Sequence, residues 1–67
     1  MDKNTKIQGF QDLIRFLSIA NGSVNEVRAQ LLLAERLGYI DHSTTNRLLD
    51  LSFEITKMIK VLSNRLR

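Results

Sequence analysis

Few residues in this sequence have the types and spacing that chemistry requires. His42 is the sole histidine and stands beside Asp41. A zinc site takes three or four ligands, so one imidazole with one neighbouring carboxylate reads as a solvated residue at a helix start, and no metal is expected. Ser23 has Glu26 and Arg28 nearby, but a nucleophilic serine needs a base within hydrogen-bond reach and no histidine lies at helical spacing from it. Capping or tight packing is the expected role of Ser23. Asp50 and Glu54 are one helical turn apart, a spacing that suits an acid–base pair, yet Arg47 and Lys57 beside them describe an ordinary solvated face. With no cysteine there is no thiolate metal site, thiol nucleophile or disulfide framework. Gly22 and Gly38 are isolated and form no phosphate-cradling loop. The chain is therefore expected to be non-enzymatic, with no cofactor and no small-molecule substrate.

The remaining chemical signal is charge. Ten Lys and Arg against seven Asp and Glu give a net charge of +3 and a pI near 9.8. After Glu54 come Lys57, Lys60, Arg65 and Arg67 with no acid between them. Cations at a helix C-terminus interact favourably with the helix dipole, by about 0.3 to 1 kcal/mol each. The same four residues are candidate phosphate contacts for a nucleic acid, an effect that symmetry would multiply in an oligomer. No aromatic residue is interleaved with them to stack on bases.

The elements that position these residues follow from periodicity. Phe10, Leu13, Leu17, Ala20, Val24, Val27, Leu31, Ala34 and Gly38 recur at alternating steps of three and four, a heptad seam that keeps one stripe facing a partner helix. The pattern predicts one long helix over about 6–37. A competing reading breaks it at Asn21-Gly22, with Ser23 as N-cap and Glu26 completing a capping box. A break would reset the phase of the stripe, and the rhythm passes through Gly22 undisturbed, which favours continuity. Gly38 is expected to end this helix as a left-handed cap, with Tyr39-Ile40 supplying the hydrophobic contact, and Asp41 or Ser43 to cap a second helix over about 42–66. Leu48, Leu51, Ile55, Met58 and Leu62 repeat the rhythm there, with Ile59 and Leu66 widening the stripe, and the short connection makes the helices antiparallel neighbours.

The predicted fold class is all-α, an antiparallel helical hairpin in a single domain over 1–67. A domain this small buries only about 60% of its unfolded surface, and one without staples usually oligomerises. Apolar residues outside the seams point the same way: Ile19, Leu33 and Leu37 on the first helix and Leu49 and Phe53 on the second, with Gly22 as a place of close backbone approach, form the expected oligomer interface. The hairpin then completes a helix bundle with copies of itself. Met1 to Lys6 is polar rather than an export signal, and the longest apolar run, Leu31 to Ala34, is far short of the ~20 residues that span a bilayer. A cytoplasmic protein with no membrane partner is expected.

The segment Phe16-Leu17-Ser18-Ile19-Ala20-Asn21-Gly22-Ser23, followed by Glu26, Gln30-Leu31, Ala34 and Leu37-Gly38-Tyr39-Ile40, resembles the bacterial four-helix bundle proteins encoded in intervening sequences of large-subunit ribosomal RNA genes. The accessory protein of diversity-generating retroelements is similar in fold. The resemblance covers about Phe10 to Leu62, including the ending Lys57-Met58-Ile59, and corresponds to the third and fourth helices of the family; its first two, with an arginine-rich segment and an Asn-x-Ala-Glu-Gly motif, have no counterpart here. It implies a helical fold, a homo-oligomer (a pentamer by the family's habit, where a dimer of hairpins would also rebuild four helices), and no catalytic residues. It also implies an alternative function, a basic accessory protein that binds nucleic acid alongside a reverse transcriptase or another protein partner.

Overall fold

The computed structural model describes residues 3–66, with side-chain environments from residue 9 onward. Two helices make up the fold: α1, Lys3–Arg36, and α2, His42–Leu66. They pack against each other as a hairpin with overall extents of 54 × 17 × 14 Å. At 1.5 Å per residue α1 is about 51 Å long and α2 about 37 Å, so the first turns of α1 outrun the end of α2. The helix is continuous through Gly22, as the unbroken apolar phase implies, and a Cβ at Gly22 would meet nothing within 4 Å.

The turn is built by local hydrogen bonding. Gly38 has φ +83°, the left-handed conformation expected of it. Its N–H donates to the Glu35 carbonyl at 3.0 Å, and that of Tyr39 donates to the Ala34 carbonyl at 2.9 Å. This pair of bonds is the Schellman arrangement that satisfies the last carbonyls of a helix. Tyr39 remains 79% exposed while Ile40 is half-buried, so Ile40 alone of the expected pair is drawn into the protein. Asp41, rather than Ser43, caps α2. Its Oδ1 accepts the Thr44 N–H at 2.7 Å and its carbonyl accepts the Thr45 N–H at 3.0 Å. The hydrogen bonds from Thr44, first from its amide and then from its hydroxyl, and the neighbouring His42 charge hold the Asp41 carboxyl below its usual pKa, against a small opposing desolvation.

Two outcomes are expected here. Gly38→Ala should destabilise the chain by roughly 1–2 kcal/mol because a Cβ strains the left-handed conformation, whereas Gly22→Ala should stabilise the isolated helix by roughly 0.5–1 kcal/mol; thermal melts of the two variants should move in opposite directions. A carboxylate with a depressed pKa stabilises the fold above its unfolded value and loses that effect as pH falls through the folded one. Melting temperature should therefore drop as pH falls below about 4, and Asp41→Asn, which caps without titrating, should remove this part of the drop.

Candidate assembly surface

The residues between the helices are not those that the apolar pattern selects. On α1 the buried or half-buried residues are Ile14, Leu17, Ala20, Asn21, Val24, Arg28, Leu31, Ala34 and Glu35. On α2 the stripe runs Thr45, Leu49, Ser52, Thr56, Ile59, Ser63 and Leu66. The expected α2 seam of Leu48, Leu51, Ile55, Met58 and Leu62 is thus corrected: every true contact position lies one residue further along, a turn of about 100° around the helix axis. On α1 the correction is half as large. Leu17, Ala20, Val24, Leu31 and Ala34 keep their places as buried or half-buried residues, Leu13 and Val27 are exposed, and Ile14, Asn21, Arg28 and Glu35 join the contact side.

Polar chemistry holds this contact. Arg28 extends from α1 and donates from Nε to Ser52 Oγ at 2.8 Å and from its terminal nitrogens to the Ser52 carbonyl at 3.2 Å and to Thr56 Oγ1. It also reaches Asn25 Oδ1 at 2.6 Å, and its guanidinium lies 4.2 Å from the centroid of the Phe53 ring. The receiving hydroxyls are themselves anchored on α2 backbone: Ser52 Oγ donates to the Leu49 carbonyl at 2.6 Å, Thr56 Oγ1 to the Ser52 carbonyl at 3.1 Å and Thr45 Oγ1 to the Asp41 carbonyl at 2.9 Å. Back-bonding of this kind lets Ser and Thr sit inside a helix with their hydroxyls satisfied, and no buried side-chain polar atom lacks a partner among the described residues. Thr45 and Ser52 are more deeply buried than Leu17, the one buried hydrophobic side chain among the described residues.

The displaced α2 stripe and Val27 open on one side of the hairpin, beside Val24 and Leu31 at the edge of the contact. Val24, Val27 and Leu31 of α1 and Leu48, Leu51 and Ile55 of α2 line an apolar groove there, completed by Ser23 and Ser52. Met58 and Leu62 continue the stripe along α2 with Val61 and the stem of Lys57. Leu51 is 54% exposed and Met58 63%, far more than a side chain at a helix–helix contact. A second groove is of mixed character, with Ile14, Leu17 and Ile59 lining it beside Ser18, Asn21, Lys60, Ser63 and Asn64.

The residues expected at an oligomer interface are divided by this geometry. Ile19, Leu33 and Leu37 are exposed, on the part of α1 turned away from α2. Gly22 is exposed with open space beside it. Phe53 is exposed at its outer face and covered by Arg28 on the other, and Leu49 is half-buried in the helix contact itself. Lys57, Lys60 and Arg65 are exposed but span about 140° of the helix circumference; Arg67 lies outside the described residues. His42 Nδ1 lies 3.1 Å from Glu35 Oε1, the one ion pair among the described residues once the ring is protonated, and its Nε2 lies 3.2 Å from Asn46 Nδ2. Sequence reasoning missed Arg28, Ser52 and Thr56. The available signal was the seven-residue spacing of Asn21, Arg28 and Glu35, a polar line through one edge of the apolar stripe.

Fold and surface define a small all-α protein, an antiparallel hairpin with a polar helix contact and an apolar side left open. The chain belongs to the family described as 23S rRNA-intervening sequence protein, whose model matches residues 4–61, beginning somewhat earlier than the resemblance read from Phe10. No curated protein matches the chain, nor does any solved structure. Among the described residues no helix is long and apolar enough to cross a membrane.

Leu17→Ala should cost about 2–5 kcal/mol, as truncation of a buried leucine does, and Leu31→Ala less in the hairpin alone because half of its surface faces the groove. Equal losses in chemical denaturation would contradict this assignment of the contact.

Proposed function

We propose that the chain is a helix-bundle assembly module, its apolar side covered by helices of further copies of itself. The observation that carries this reading is the offset of the hairpin: Arg28, Thr45, Ser52 and Thr56 share the contact with Leu17, Val24, Leu31 and Leu49, while Leu13 and Val27 of α1 and the regular Leu48, Leu51, Ile55, Met58 and Leu62 stripe of α2 are exposed. Leaving such a contiguous patch in water is unfavourable and marks interaction surfaces in soluble proteins. Two hairpins joined through this side bring four helices around one core, and a ring of more copies would use Ile19, Leu33 and Leu37 as well.

The alternative, a nucleic-acid-binding accessory protein, draws on Lys57, Lys60 and Arg65. Their spread around α2 supports it less well than one basic face would. Leu51→Gln with Ile55→Gln should weaken assembly by about 100-fold or more, from the apolar burial lost at two sites, with light scattering as the readout. Lys57→Gln with Lys60→Gln should leave the mass unchanged. The opposite pattern, full assembly by the first variant and salt-sensitive nucleic-acid binding lost in the second, would replace this reading with the alternative.

A further inference from the structure

We infer that Arg28 is the residue that sets the rotation and register of the two helices and thereby determines which side of the hairpin a partner meets. The inference rests on the assembly reading for its consequence, but its structural content stands independently.

Both helices carry an apolar heptad stripe, and nothing in the stripes themselves stops α1 and α2 from turning until those stripes face each other. That arrangement would bury more hydrocarbon within one chain and leave little for a partner. The observed setting differs from it by about one residue step on α2 and half a step on α1, and the Arg28 cluster is what occupies the contact instead. A guanidinium has five N–H donors in a fixed plane. Four hydrogen bonds leave Arg28, to Asn25, to both the hydroxyl and the carbonyl of Ser52, and to Thr56, while Phe53 receives its face. Three of those acceptors belong to α2 and stand at one height along it. A slip by a heptad, or a rotation by one residue, would strand the guanidinium at the contact with its partners lost, and a charge left without compensating bonds costs far more than a neutral group. Apolar stripes tolerate sliding; a planar fork set against three fixed acceptors does not. Single polar groups placed in a helix contact are the best-attested devices for fixing register, commonly at some cost in stability.

The test exploits the absence of cysteine from the chain. Spin labels at Ala29→Cys and Asp50→Cys, both exposed and turned away from the apolar side, report the hairpin's internal geometry when labelled chain is diluted with excess unlabelled chain. The unsubstituted background should give one narrow distance distribution. Arg28→Lys keeps the charge and loses the fork, and the triple variant Arg28→Leu, Ser52→Ala, Thr56→Val makes the contact apolar; both should give a broadened or displaced distribution, a heptad slip being a shift of about 10 Å along the axis. The triple variant should remain as helical as the parent, since replacing a buried polar group by packed apolar ones is commonly neutral or stabilising. Should Arg28→Lys fail to fold, the triple variant decides alone. A helical triple variant with the parent's narrow distribution overturns the inference. A parent that is monomeric yet narrow overturns the assembly reading and leaves the role of Arg28 intact.

Discussion

The Arg28 side chain bridging to Ser52 and Thr56 is the interaction on which the rest of this structure depends. It places a cation and a row of hydroxyls where a helical hairpin ordinarily places leucine, and the apolar stripes are turned aside as a result. Small α2 residues at the contact, Ser52 and Thr56, meet the long arginine side chain and supply acceptors already bonded to their own backbone. The contact is thereby satisfied in hydrogen bonds, and its hydrophobic part is confined to Leu17 and a few half-buried residues such as Val24, Leu31, Leu49 and Ile59. A chain of this size has little stability to spare, and the energy it lacks is held on its open side, in side chains that gain only when another surface covers them. The assembly proposed above rests on this distribution of polarity.

The turn is governed by local physics instead. Gly38 in the left-handed region closes α1 and Asp41 opens α2 within a few residues, and the Gly38, Tyr39, Thr44 and Thr45 N–H groups find their acceptors locally. Because the bend is short and rigidly bonded, it holds the helices antiparallel whatever fills the space between them. Direction belongs to the turn, and rotation to Arg28.

This division explains what could be read from the sequence. Helix existence, continuity through Gly22, the Gly38 cap and the antiparallel order rest on signals within a few residues or on periodicity, and all are legible. The α2 contact is not. Heptad spacing of Leu48, Leu51, Ile55, Met58 and Leu62 says that a stripe must be covered but does not say by what, and reading it as the partner of α1 assigned to the hairpin a burial the hairpin does not provide. Ser52 and Thr56, by composition, look like solvated helix residues; their burial is intelligible only once Arg28 is seen to need acceptors across the contact. Leu49, which looks like a stray leucine outside the seam, faces α1 for the same reason. The positions of Ile19, Leu33 and Leu37 outside the α1 seam follow from α1 alone, and the three are exposed.

The measurement that tests the central claim most directly is helicity and melting temperature followed by circular dichroism across a wide range of chain concentration, with sedimentation at the same concentrations. If the apolar side is completed by further copies, folding and association are linked, and the melting temperature rises with concentration while the sedimenting species exceeds the 7.7 kDa of one chain. A helical monomer at micromolar concentration, melting at a temperature independent of concentration, would contradict the account.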